Sequence, residues 1–291
     1  MIIVTAPTSA IGRQVVARLL DSGQPIRVIA RDPSRLATET RQRVEIVQGS
    51  HGDLDVCHRA FAGADAVFWL VPPAPRAESL EAAFVDFTRP ACQAARAQRV
   101  ARIVGVSALG RGVAGNAGLV TASLAMDDLI ASTGIAYRAL TMPSFMDNTL
   151  RQVESISRRG VFVSALSGDR KHPTCATRDI AAVAARLLVD RTWTGHASVP
   201  VLGPEDLSFN DMARIMSEVL GKPVQYQQIP IQAFKARLTE HGMSEAMAQG
   251  MAEMMVAKEA GLDDAEPRTP DNTTPTSFRQ WCDDVLKPAI R

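Results

Sequence analysis

The stretch Thr5-Ala6-Pro7-Thr8-Ser9-Ala10-Ile11-Gly12 sets small and hydroxyl-bearing residues between the apolar run MIIV and a helix-forming segment. Small side chains at such a turn let the backbone approach a pyrophosphate, and the helix that follows offers free amides and a partial positive charge. Thr8 and Ser9 add hydroxyls that can bond phosphate directly, Ala10 and Ile11 open the helix, and Gly12 is the single glycine of the run. Against this, Pro7 removes one amide donor, and Ser9 as an N-cap serves an ordinary strand-to-helix turn equally well. The loop alone leaves both readings open.

A second cluster bears on the choice. The next apolar run ends VIARDPSRL, so Arg31 stands about twenty residues beyond the loop, where an acid would bond a ribose 2′-hydroxyl, and Arg35 follows one turn on. Two guanidinium groups there suit a 2′-phosphate, which favours NADP over NAD. The plainer alternative is a pair of solvated arginines, with Asp32 pairing locally.

The bulk of the chain sets limits on what such a site can belong to. With 291 residues, 46% of them hydrophobic and 22% charged, the chain is long enough for one large or two modest cores. Thirty-two basic against 31 acidic residues leave a formal charge of +1, so no overall field draws it to nucleic acid or an anionic membrane. The opening MIIVTA has no basic leader or spanning-length apolar stretch, and a cytoplasmic location is expected. Cys57, Cys92, Cys175 and Cys282 are too scattered for a redox pair or a zinc cluster, and no set of His, Asp and Glu has metal-ligand spacing. A small-molecule substrate and, at most, a second copy of the chain are the expected partners.

Positioning these residues requires alternating strands and helices. MIIVTA, PIRVIA, VEIVQG, DAVFWLV, ARIVGVSA and AYRALTM read as short strands, separated by helical patterns at 10–22, 53–61, 77–98 and 118–133. Continuous apolar strands between amphipathic helices indicate an α/β fold with a doubly wound parallel sheet, Rossmann-like in organisation. The pattern loosens after about residue 145. The reading is therefore a dinucleotide-binding domain over 1–150 and a smaller substrate-covering α/β subdomain over 151–291, with strands near VFVSAL, ASVPVL and VQYQQI. Its helices are expected at 178–189, at 208–220 behind Ser208, and in a methionine-rich stretch at 243–260 that lines a core or pocket, the alternative being a partner-binding face.

VTAPTSAIGRQVVARLLDSGQPIRVIARDPSRL, AFAGADAVFWLVPP, VSALG, TGIAYRALTMPSFMDN and PTSFRQWCDDVLKP together resemble the NmrA-like branch of the atypical short-chain dehydrogenase/reductases, along nearly the whole chain. That family's first loop usually reads T-G-A-T-G-x-x-G, so Ala6 and Ser9 replace two of its three glycines. The resemblance implies a bound NADP(H). Val71, Pro72 and Pro73 would lie along it, and Ser107, Ala108, Pro143, Ser144 and Phe145 would approach the nicotinamide. For LVPP and MPSF the alternative is proline simply ending a strand. The family commonly has an acid near the adenine just after the third strand; Ser50 holds that place here, and His51 is expected to face the adenine end.

One pairing is absent. Typical short-chain dehydrogenases place a tyrosine and a lysine four positions apart on a helix, where the ammonium lowers the phenol's pKa for proton transfer. This chain has no lysine before Lys171, and its only tyrosines are Tyr137, on an expected strand, and Tyr226. Ser107 holds the catalytic serine's place but without a base it only donates a hydrogen bond. His172, in RKHPTCATRDI, is the other candidate proton donor, the alternative being an exposed side chain in a polar loop. Two function classes follow: an NADPH-dependent reductase of quinones, enones or imines, which need little help with protons, or a non-enzymatic NADP(H) sensor that regulates a partner.

Overall fold

The computed structural model describes residues 1–113 and 115–290. In chain order its elements are β1 (Ile2–Val4), α1 (Ala10–Asp21), β2 (Ile26–Ala30), α2 (Thr38–Arg43), β3 (Glu45–Gln48), α3 (Leu54–Phe61), β4 (Ala66–Trp69), α4 (Phe87–Ala97), β5 (Arg102–Ala108), α5 (Leu119–Ala131) and β6 (Ala136–Met142). There follow β7 (Ser144–Phe145), α6 (Val153–Arg159), β8 (Val161–Ser164), β9 (His172–Cys175), α7 (Thr177–Val189), β10 (His196–Pro200), β11 (Asp206–Leu207), α8 (Phe209–Leu220), β12 (Gln225–Gln228), α9 (Ile231–Glu240) and α10 (Glu245–Glu259).

Seven strands form one sheet in the order β10-β6-β5-β4-β1-β2-β3, and β3, β2, β1, β4 and β5 pair in parallel. This is the Rossmann-like α/β arrangement that the alternating pattern calls for. Strands buried on both faces need continuous apolar side chains, and Ile2, Ile3 and Val4 of β1 and Ala66 to Trp69 of β4 are all buried. The chain runs outward from β1 to β2 and β3, then returns to lay β4 against the other side of β1. Strand order thus reverses between β1 and β4, the point where such sheets open a crevice for a ligand. Thr5 ties this point together: its hydroxyl donates to Phe68 O at 2.9 Å and accepts the Leu70 amide at 2.9 Å.

The chain divides into two compact units. The first comprises residues 1–108, 122–141 and 180–199, and the second 109–121, 142–179 and 200–291. The sequence boundary at 150 is therefore crossed in both directions, and the ASVPVL strand, expected in the C-terminal half, supplies β10 at the edge of the main sheet. The first unit's core gathers Ile3, Phe61, Val67, Trp69, Ile103, Met126 and Ile130. The second has its own core around Met146, Phe162, Met212, Met216, Phe278 and Trp281, with a three-stranded sheet β11-β9-β7 and a pair β12-β8. On α10, Met247 is buried, and Met251, Met254 and Met255 are half-buried.

Candidate functional site

The loop after β1 is shaped by two backbone constraints. Ala6 adopts φ 47°, in the left-handed region that residues with a Cβ avoid, and a Cβ on Gly12 would collide with the Ala6 carbonyl oxygen. Gly12 is therefore required by the loop's own backbone. Ser9 caps α1 by accepting the Gly12 amide at 2.9 Å, so its hydroxyl oxygen has a structural use. The amides of Ala10 and Ile11 lie in the first turn, where a helix supplies no internal acceptor, and that turn contains no acid to repel an anion. Thr8 and Ala10 are exposed; Pro7, Ile11 and Gly12 are buried. Helix amides beside a left-handed turn, with basic groups on the next strand, form a donor set that fits a dinucleotide's phosphates.

Arg31 follows the last residue of β2, and both Arg31 and Arg35 are exposed. Asp32 does not pair with them in the first instance. It accepts the Ser34 amide at 3.0 Å and hydroxyl at 2.6 Å, bonds that hold its carboxyl below the usual range and cap the short helix Pro33–Arg35. Arg31 stands just past the end of β2 and Arg35 closes that short helix.

The turn after β3 departs from expectation. His51 does not stand open toward an adenine: its ring is buried, edge-on to Trp69 and Phe87 at centroid distances of 5.2 and 5.0 Å, and Nε2 donates to Leu70 O at 3.0 Å. Burial pushes its pKa down to about 4, with the Arg31 charge adding to the fall. Ser50, half-buried, uses its hydroxyl oxygen to accept the Gly52 amide at 3.2 Å. The reason is steric and local. Side chains on Gly49 and Gly52 would collide with Val56 and Phe87, so this turn packs tightly against α3 and α4 and draws the histidine inward.

Val71, Pro72 and Pro73 follow β4 in a segment without regular structure, Val71 and Pro72 half-buried and Pro73 exposed. Ser107 and half-buried Ala108 end β5. Ser107 is buried and donates to Asp127 on α5, and the Tyr137 hydroxyl, from β6, donates to the other oxygen of the same carboxylate at 2.6 Å. Sequence reasoning passed over Asp127, although the signal was there. Val120, Ser123, Asp127 and Ile130 follow a 3-4-3 spacing that lines the buried face of α5.

These strand ends all belong to the first unit. Pro143, Ser144, Phe145 and His172 belong to the second, where Phe145 pairs with Cys175 and Thr174 donates to Ser144 O at 2.9 Å. The polar-loop reading of His172 is corrected: it is the first residue of β9, pairs with Leu207, and is 7% exposed. Its sequence neighbours are charged, which imitates a loop, but backbone pairing on β11 turns the ring inward toward Phe209, 6.1 Å away. Its Nε2 is buried without a hydrogen-bond partner among the described residues, and burial lowers its pKa. Tyr226 donates to the Ser164 and Leu166 carbonyls, and burial raises its pKa to about 12.

Comparison with known proteins agrees with this geometry. The NAD(P)H-binding family profile matches residues 8–191, and the NmrA-like family profile matches residues 128–281. A reductase of (4-alkanoyl-5-oxo-2,5-dihydrofuran-3-yl)methyl phosphate from Streptomyces griseus is 34% identical over 82% of this chain and 80% of its own. An NAD(P)H azoreductase from Xenophilus azovorans is 28% identical, covering 87% and 86% of the two chains. Among solved structures, an NADPH-dependent quinone oxidoreductase of Escherichia coli, complexed with NADPH, superposes with a TM-score of 0.78 at 23% identity over 100% of this chain and 98% of that one.

Proposed function

Since the chain belongs to the NAD(P)H-binding, NmrA-like family and is an NAD(P)H-dependent oxidoreductase, we propose that it passes hydride from NADPH to a small, electron-poor conjugated acceptor: a quinone, an enone or an imine-type substrate. One observation supports this class above others. Both phenols of the chain are committed as donors, Tyr137 to Asp127 and Tyr226 to backbone carbonyls, so neither stands ready as the acid that reduction of a simple ketone demands. Hydride addition to a quinone or enone leaves an anion stabilised by delocalisation, and addition to an iminium ion cancels a charge. Positioning alone then carries much of the rate.

The relatives' names agree with that chemistry. A quinone, an azo group and a 5-oxo-2,5-dihydrofuran, which is an unsaturated lactone, are all conjugated acceptors. When bound, NADPH supplies the hydride. This chain's part is to hold it: the α1 amides and Thr8 at the pyrophosphate, Arg31 and Arg35 at the 2′-phosphate, Val71, Pro72 and Pro73 along its length. Ser107 and Ala108, at the end of β5, face the nicotinamide. Ser107, its own proton turned to Asp127, acts as an acceptor there; His172, in the second unit, has a buried Nε2 without a hydrogen-bond partner among the described residues and is the histidine to vary as a proton donor.

The test is to titrate the protein with NADPH and NADH separately, then follow NADPH absorbance against panels of quinones, enones, imines and unconjugated ketones. Oxidation confined to conjugated acceptors is the expected result. Turnover of simple ketones at a comparable rate would overturn the reading. So would a thousandfold fall in single-turnover rate for Tyr137→Phe with cofactor and substrate still bound, since that would reveal a dedicated acid.

A further inference from the structure

Asp127 is a carboxylate at a position that needs a reason. It is 2% exposed on the buried face of α5, and taking a charge from water into such a place is costly unless hydrogen bonds compensate. The surroundings are shaped to compensate it. Ser107 donates to one oxygen and Tyr137 to the other, and a donor at each oxygen favours the charged form of a carboxyl group. Gly105, on β5, makes the space: a Cβ there would collide with the Tyr137 hydroxyl. Three elements, β5, α5 and β6, thus close on one carboxyl group directly behind Ser107.

Ser107 is the penultimate residue of β5, at the carboxyl end where ligands of parallel sheets collect. We propose that Asp127 is an electrostatic positioning residue: set behind Ser107, it stabilises the oxidised nicotinamide, which carries one more positive charge than the reduced ring, and so favours release of hydride. This rests on the reading that the nicotinamide lies at the β5 end. The carboxylate attracts positive charge as it develops and acts through a buried, low-dielectric region that screens it weakly. Directing the Ser107 proton inward serves the same end, because the serine then presents lone pairs rather than a second positive edge.

Equilibrium binding tests this without turnover. Calorimetric titration of the wild type and Asp127→Asn with NADP+ and with NADPH should show the oxidised cofactor weakened about tenfold by the substitution and the reduced one changed by less than about twofold. Tyr137→Phe deletes a hydrogen bond but leaves the charge, and should keep the ratio of the two dissociation constants within about twofold of the wild type. An unchanged ratio in folded Asp127→Asn overturns the inference, as does a ratio that moves equally in Tyr137→Phe, which would assign the effect to packing. The wild type gives a reading that needs no variant: NADPH bound more than about tenfold tighter than NADP+ overturns it as well. Wild-type protein that binds neither form refutes the cofactor reading beneath, an outcome distinct from any change in ratio.

Discussion

The loops after β1 and β3 leave the same edge of one sheet, and they use their polar groups in opposite ways. In the turn after β3, Ser50 accepts the Gly52 amide, Asp53 accepts the Val56 amide at 3.0 Å, His51 donates to Leu70 O, and the Cys57 thiol donates to His51 O at 3.1 Å. Its side-chain polar groups are spent within the protein. The loop after β1 spends the Thr5 hydroxyl on Phe68 O and the Leu70 amide and the Ser9 hydroxyl oxygen on its helix, and leaves Thr8 and Ala10 exposed. A turn whose side chains are satisfied internally has fewer groups left for a ligand, and first-turn helix amides are a donor set for an anion. The resemblance assigns both to the cofactor, one to the pyrophosphate and the other to the adenine; their side chains are satisfied in different ways.

The sharpest way to break this contrast is at Gly12. Gly12→Ala pushes a methyl into the Ala6 carbonyl, so we expect a loss of about 3 kcal/mol in chemical denaturation and no measurable NADPH binding. Retention of either would show that the loop yields more easily than its backbone implies. His51 probes the other turn by pH. Its pKa falls from 6.5 unfolded to about 4 folded, so the unfolded chain takes up the proton first as pH falls. Stability from this group is whole above pH 6.5 and drains away toward pH 4, by about 3 kcal/mol in all. His51→Gln should remove that slope from urea midpoints measured between pH 7 and 4.5, and should leave NADPH affinity within about twofold. A large loss of affinity would return the turn to the cofactor site.

Smaller effects sharpen the first loop. Arg31→Asp should weaken NADPH by about 2 kcal/mol and leave NADH nearly unchanged, the range for a lost charge-assisted bond. Equal losses by fluorescence titration would show that the arginine does not read the 2′-phosphate. Ala6→Gly removes a Cβ from a left-handed backbone and should stabilise the fold by about 0.5 kcal/mol after the entropy cost of glycine, read as a raised melting temperature. Ser9→Gly should cost only about 0.3 kcal/mol, because glycine is itself a tolerated N-cap. A larger loss would mean that the hydroxyl does more than cap α1.

Much of this was legible before any coordinates. Ser9 as a cap, Ser208 as the cap of α8, and the strands and helices through residue 142 apart from the short polar α2 follow from local pattern, because capping groups and apolar periodicity act within a few residues of themselves. Asp127 was legible in principle, on the buried stripe of α5, but an acid beside another acid, Asp128, reads as solvated surface until the helix face is drawn.

What the sequence determined by itself is the individual strands of the main sheet, the small-residue loop and the place of Arg31 and Arg35 in the segment after β2, since each depends on neighbours close along the chain. Only the tertiary structure decided how distant polar groups are satisfied. It turned His51 inward against Trp69 and Phe87, put His172 on a strand with a buried nitrogen unpartnered among the described residues, returned 196–200 to the main sheet, and joined Ser107 and Tyr137, thirty positions apart, on one carboxylate. Periodicity reports which side of an element is buried, whereas a hydrogen bond across three elements depends on strand order and register, which no local pattern encodes.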